Sequence, residues 1–239
     1  MKPIEIWRRL GSLDWITSQA RDAWLHARDS RSSRPFAIAY RTVRPYTMSG
    51  PARLRGLYGG VHEVVARGVP GDVVECGTAR GGSAALMGLA LKELGTARTL
   101  WVFDTFEGIP PPSAADPDRH IAELYTGDFR GELSQVQALF ARLGILDRAH
   151  LVKGLFQDTV PVTTVGAIAV LHLDGDWYDS VMVCLEHLYD RVSPGGVIQI
   201  DDYGHWEGAR KAVDEFMARR GIRAPLRYLD YTGRQFTKP

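Results

Sequence analysis

Two short acidic runs stand out in the C-terminal half of the chain, Asp174-Gly-Asp176 and Asp201-Asp202. In an extended strand, residues i and i+2 point to one side, so Asp174 and Asp176 are expected to face one place. Each run closes an apolar stretch, Ala167-Ile-Ala-Val-Leu-His-Leu-Asp174 and Val197-Ile-Gln-Ile-Asp201. Carboxylates gathered this closely repel one another unless a cation neutralises them. Hard oxygen donors select magnesium, calcium or manganese over zinc, and no Cys/His cluster with zinc spacing competes. Separate caps or surface acids would explain either pair alone, but poorly explain both.

Two more acids stand at the ends of apolar runs. Glu75 belongs to Asp72-Val-Val-Glu-Cys76, and Asp104 closes Thr99-Leu-Trp-Val-Phe-Asp104. After the first of these runs comes the glycine-rich turn Glu75-Cys-Gly-Thr-Ala-Arg-Gly-Gly-Ser83. Its glycines permit tight turns and close approach of backbone to a ligand. Thr78 and Arg80 break the G-x-G-x-x-G spacing, and no Gly-Lys-Ser/Thr follows, so phosphate is not the first choice of ligand. Asp104 lies roughly 20 residues beyond the turn, where a ribose-binding acid is expected. Loop and acid together favour an adenosine-containing ligand without phosphate demands.

The elements that must position these acids alternate between strand and helix. Strands are expected at 72–76, 99–104, 150–154, 167–174 and 197–201, with helices over 83–94, 132–143, up to about 190, and 207–219. Residues 107–120 read as a surface loop, Pro194-Gly-Gly196 as a turn, and 226–237 as a final β segment. This alternation implies an α/β fold with a mostly parallel, doubly wound sheet. Such sheets bind ligands outside the carboxyl ends of their strands, so the strand-end acids should converge on one crevice. Ahead of them, residues 4–28 have helical character, with Trp7, Trp15 and Trp24 read as surface that packs on the main domain or on another subunit. Residues 29–35 read as a linker. The chain thus divides into an N-terminal helical arm, 1–45, and a main domain, 46–239.

Of 239 residues, 45% are hydrophobic and 24% charged, enough for a sizeable core in an ordinary globular protein. The formal net charge of +1 gives no argument for nucleic acid. Charge is uneven: residues 1–45 hold nine Lys/Arg against four acids, and the remainder 20 against 24. The basic arm is read as solvated, and the acidic body suits a metal site. Cys76 and Cys184 lack CxxC spacing and are expected as reduced core thiols. The N-terminus has no signal-peptide pattern, and no run approaches the roughly 20 apolar residues of a membrane span. The expected location is therefore the cytoplasm.

The chain from about Tyr46 onward resembles the macrocin O-methyltransferase family of natural-product biosynthesis. The matching segments are Tyr46-Thr-Met48, Glu75 to Ser83, Asp104-Thr-Phe-Glu-Gly-Ile-Pro110, Gly154-Leu-Phe-Gln-Asp-Thr159, Leu173-Asp-Gly-Asp-Trp-Tyr178, Ser193-Pro-Gly-Gly196 and Ile200-Asp-Asp-Tyr203. The resemblance implies the class I, Rossmann-like methyltransferase fold and S-adenosylmethionine as methyl donor. It implies Asp174, Asp201 and Asp202 as Mg²⁺ ligands and Asp176 as the general base. Thr47, Met48, Glu75, Gly77, Ser83, Asp104 and Asp158 are implied as donor contacts, with Thr78, Ala79 and Gly175 beside them. Thr78-Ala79 departs from the bulkier residues expected in that turn.

The acceptor implied is a sugar hydroxyl on a glycosylated natural product. A polysaccharide or glycolipid sugar and a catechol-like phenol are alternatives, since vicinal oxygens chelate a metal in each. Readings of other classes are a glycosyltransferase, for which Asp174-Gly-Asp176 would be a D-x-D motif, and a non-catalytic donor-binding scaffold. His205, just after the second acid pair, is the competing base, and His172, inside a strand, is read as a satisfied core residue. Trp177, Tyr178, Tyr203 and Trp206 flank the acids and are read as crevice wall, with stacking on a sugar ring as the other use of such rings. A homo-oligomer is expected, and the arm is assigned either to its interface or to a cover over the acceptor pocket.

Overall fold

The computed structural model describes residues 12–239. Its centre is one sheet built from β1 (Asp72–Cys76), β2 (Leu100–Asp104), β3 (Ala149–Lys153), β4 (Ile168–Leu173), β5 (Val192–Ile200), β6 (Arg227–Tyr228) and β7 (Arg234–Thr237). The spatial order is β3-β2-β1-β4-β5-β7-β6. β1 to β5 are parallel, and β7 runs antiparallel to both β5 and β6. The order reverses between β1 and β4, which opens the crevice at the carboxyl ends of those two strands.

Helices cover both faces. They are α1 (Leu13–Ser30), α2 (Pro35–Val43), α3 (Pro51–Ala66), α4 (Gly82–Glu93), α5 (Arg119–Ala122), α6 (Leu133–Leu143), α7 (Phe156–Thr159), α8 (Tyr178–Leu188) and α9 (Glu207–Arg219). The pleat sends neighbours to opposite layers. Val73 joins the layer of α2, α3, α4 and α6, while Val74 joins that of α8 and α9. α8 buries Val181, Cys184, Leu185 and Leu188, and α9 buries Ala209, Ala212, Val213 and Phe216, each at the i, i+3, i+4, i+7 spacing of one helical face. β4 is buried along its whole length, as expected for a central parallel strand.

Several expectations shift. The Pro194-Gly-Gly196 turn lies inside β5: Ile168 pairs with Val192 but Val170 with Val197, so the turn is a bulge in a continuing strand. The arm helix is seen from Leu13, and Trp7 with the rest of 4–11 lies outside the described residues. Trp24 is 60% exposed, with the Arg28 guanidinium 4.9 Å from its ring centroid, while Trp15 lines a cavity at the strand ends. The basic arm is only partly solvated. Arg21 donates to the Leu229 carbonyl at 3.1 Å, and Arg41 to the Asp29 and Ser32 carbonyls at 2.7 Å. α2 adds Phe36, Tyr40 and Val43 to the same apolar layer as α3 and α4. Cys76 and Cys184 are free, buried thiols.

One glycine governs the crevice. Gly77 sits at φ +90°, and a Cβ there would come within 1.8 Å of the Asp174 carbonyl oxygen. Gly77→Ala is therefore expected to cost about 3 kcal/mol or more, from overpacking added to left-handed strain. Urea denaturation checks this.

Candidate active site

A cavity of about 510 Å³ opens at the carboxyl ends of β1, β2, β4 and β5. Its first wall is the β1–α4 turn, with Gly77, Thr78, Ala79, Arg80 and Ser83. Asp104, the last residue of β2, organises that turn. Its carboxylate accepts from the backbone N–H of Thr78 (2.7 Å), Ala79 (3.0 Å) and Phe106 (2.6 Å). Burial still pushes its carboxyl above the ordinary value, against those three donors. Thr47 and Met48 line the cavity from the segment before α3. That segment crosses directly over the start of α4, where a Cβ on Gly82 would lie 2.6 Å from the Tyr46 backbone.

The second wall is acidic. Asp174, Gly175, Asp176, Asp201 and Asp202 all line the cavity, as does His205. The pleat is not what aligns Asp174 with Asp176. β4 ends at Leu173, and Asp176 takes a left-handed conformation at φ +56°, so a turn brings its carboxylate round. Its N–H donates to Asp202 Oδ2 at 3.2 Å, and its Oδ1 accepts from Trp206 Nε1 at 3.0 Å.

Two implied donor contacts fall outside the cavity. Glu75 lies within β1, paired in register with His172 of β4, and its side chain is fully buried against that histidine. Asp158 is exposed, and its neighbours Leu155, Phe156 and Gln157 take the lining positions instead.

His172 is a satisfied core residue with a further consequence. Nδ1 lies 2.8 Å from Glu75 Oε1 and Nε2 3.4 Å from Asp201 Oδ1. Burial would lower its pKa, but the two carboxylates outweigh that and push it up to about 9. An imidazolium donating from both nitrogens has no lone pair for a metal. His172, Asp174 and Asp201 each bring one ligand atom within 4.8 Å of the others, and the imidazolium leaves the carboxylates as the usable donors.

Arg53, near the start of α3, escaped the sequence reading. Its Nη1 contacts Asp201 Oδ2, and its Nε lies 2.9 Å from Asp230 Oδ2. Burial would raise the Asp201 carboxyl, yet Arg53 and His172 hold it below the ordinary value. Asp174, Asp176 and Asp202 are pushed up, by burial first and then by neighbouring carboxylates. Among the described residues, Arg53 and His172 are the cations paired with the aspartate cluster, and Glu75 and Asp230 draw on the same two. Hard oxygen donors with this shortage of positive charge fit a divalent cation.

The third wall comes from the arm and the C-terminal hairpin. Trp15, Ser18, Gln19 and Asp22 of α1 line the cavity with Asp230, Tyr231 and Thr232. Ser18 Oγ accepts from Tyr231 N–H at 3.0 Å, which fastens the arm to the hairpin loop.

A family model described as macrocin-O-methyltransferase (TylF) matches residues 11–238. The chain belongs to the macrocin O-methyltransferase family. This family member is 43% identical over 194 residues to the 8-demethyl-8-(2,3-dimethoxy-alpha-L-rhamnosyl)-tetracenomycin-C 4'-O-methyltransferase of Streptomyces olivaceus, covering 79% of this chain and 74% of that protein. It is 38% identical over 202 residues to the mycinamicin III 3''-O-methyltransferase of Micromonospora griseorubida, covering 81% and 78%. The solved structure of the O-methyltransferase NovP aligns with a TM-score of 0.75 at 34% identity, over 81% of this chain and 82% of that one. The fold is the class I, Rossmann-like methyltransferase fold.

Membership makes this macrocin O-methyltransferase relative an O-methyltransferase, with S-adenosylmethionine as the donor that the family implies. It displaces the D-x-D glycosyltransferase and scaffold readings of the acids. No helix among the described residues is long and apolar enough to cross a membrane.

Proposed function

We propose that the protein methylates a sugar hydroxyl on a glycosylated natural product, with Asp176 as general base. Asp174, Asp201 and Asp202 hold Mg²⁺ in this reading. The observation that carries it is the meeting, in one cavity, of the glycine-rich turn ordered by Asp104 with the buried aspartate cluster. The printed names of the relatives support the acceptor class, since one acts on a rhamnosyl-tetracenomycin and another on mycinamicin III.

S-adenosylmethionine supplies the methyl on a sulfonium sulfur, already a good leaving group. The turn from Gly77 to Ser83, with Thr47 and Met48 opposite, holds the donor at one end of the cavity. The acceptor hydroxyl enters beside Asp176. Its oxygen attacks the methyl carbon in line as the carbon–sulfur bond breaks, and the electron pair stays on sulfur. The hydroxyl proton passes to Asp176, whose carboxylate lines the cavity beside the acceptor. A divalent cation on the three other aspartates would lower the hydroxyl's pKa and orient it. Trp15, Gln19 and Asp22 of the arm, with Tyr231 and Thr232, cover the acceptor side. His205 is the second candidate base.

Turnover on a rhamnosyl glycoside, followed by product mass, tests the reading. Chelation is expected to abolish at least about nine-tenths of the rate, and magnesium to restore it. Full activity in chelator, or an Asp174→Ala enzyme with unchanged rate, would remove the metal. Parallel trials with polysaccharide and catechol acceptors decide the acceptor class.

A further inference from the structure

We propose that Trp206 is a positioning residue for the base: its indole N–H pins one oxygen of Asp176 and leaves the other to receive the proton. The proposal rests on the reading of Asp176 as base. Trp206 Nε1 donates to Asp176 Oδ1 at 3.0 Å. The other oxygen, Oδ2, has no hydrogen-bond partner among the described residues, and Asp176 lines the cavity. One oxygen is therefore committed to the protein and one to the acceptor.

The indole can hold that position because it is itself held from several directions. Trp206 is buried and meets Trp177 edge-on at 4.8 Å and Tyr125 at 5.4 Å between ring centroids. Its backbone N–H donates to the Asp202 carbonyl at 3.0 Å. The next residue, Glu207, donates its N–H to Asp118 Oδ2 at 3.2 Å, so the loop before α5 caps the start of α9. The same loop anchors the turn carrying Asp176. Asp116 Oδ1 accepts from Tyr178 N–H at 2.7 Å, and the Pro110 carbonyl accepts from Trp177 Nε1 at 2.6 Å. The loop thus joins both ends of the Trp206–Asp176 contact.

An indole serving only as crevice wall would need its ring and not its N–H. The Asp176 backbone supplies the reason for a dedicated donor. At φ +56° the residue sits in a conformation that costs a non-glycine residue about 1 kcal/mol, in a turn where its side chain has no strand neighbours to fix its rotamer. A carboxylate free to rotate would spend less time in line with the acceptor hydroxyl.

The test removes the N–H and keeps the ring. Trp206→Phe, and β-(3-benzothienyl)alanine incorporated at 206 as an isosteric ring without the donor, are each measured for kcat and acceptor KM, for adenosylhomocysteine binding by calorimetry, and for Tm. The expected result is a fall in kcat of about 10- to 100-fold with acceptor KM and donor affinity unchanged. In an Asp176→Asn background the same replacements should have no further effect on kcat. Wild-type kcat in the benzothienyl variant, with Asp176→Asn inactive, overturns the role of Trp206 and leaves the base in place. A rise in KM with kcat intact reduces Trp206 to packing and overturns it equally. An active Asp176→Asn enzyme removes the base reading and this inference with it. If Trp206→Phe fails to fold, the benzothienyl variant alone decides.

Discussion

An Asp176→Asn enzyme is expected to bind the methyl donor normally and to turn over about 10²- to 10⁴-fold more slowly than wild type. The substitution preserves shape. The amide oxygen can still accept from Trp206 Nε1, and the backbone N–H of residue 176 still donates to Asp202. In the proposed mechanism, what disappears is the capacity to take a proton from the acceptor hydroxyl. The glycine-rich turn, proposed to hold the donor, lies between β1 and α4 and among the described residues shares no side-chain hydrogen bond with Asp176, so adenosylhomocysteine affinity should be unchanged. Single-turnover kinetics, which separate chemistry from product release, make the comparison. Retention of more than about a tenth of the wild-type rate would move the base to His205 or to water.

The second large effect is on stability. Arg53→Ala is expected to cost about 3–5 kcal/mol, because breaking a buried ion pair leaves a charge uncompensated. Arg53 serves two carboxylates that are each only 4% exposed, Asp201 on β5's end and Asp230 in the hairpin loop. His172 remains on Asp201, but among the described residues the Asp230 carboxylate keeps only its hydrogen bonds from Thr232 and Gly233. In a chain of this size such a loss lowers Tm by on the order of 10 °C. Arg53→Lys should recover part of it, since a point charge cannot bridge two carboxylates as the guanidinium fork does. Magnesium should raise the Tm of Arg53→Ala more than that of wild type if Asp201 is a ligand, because binding then supplies the missing positive charge. An Arg53→Ala protein within about 1 kcal/mol of wild type in urea denaturation would mean that the pair balances little buried charge.

Much of the fold is legible in the residues because helices and central parallel strands have strong local signals. α9 was expected over 207–219 and is seen there, since Ala209, Ala212, Val213 and Phe216 mark one face. The acids were legible for a related reason: a carboxylate that follows an unbroken apolar run must emerge where the strand ends. Asp104, Asp174 and Asp201 do so. The bulge at Pro194–Gly196 was hidden because glycine and proline signal a break in the local backbone but not whether pairing resumes beyond it.

The sequence by itself determined the alternation of strand and helix, the strand-end acids and a glycine turn that only a close-packed crevice requires. Those are properties of neighbours along the chain. Only the tertiary structure decided how the acids differ. Glu75 turned inward onto His172, Asp104 took up backbone donors, Asp201 gained Arg53, and Asp176 gained Trp206. Arg53 is 148 positions from Asp201, and Trp206 is 30 from Asp176. No local pattern records such a distance. The charge state and orientation of a buried carboxylate are set by what the fold packs against it, so the residue types announce a cluster of acids and their packing assigns each its role.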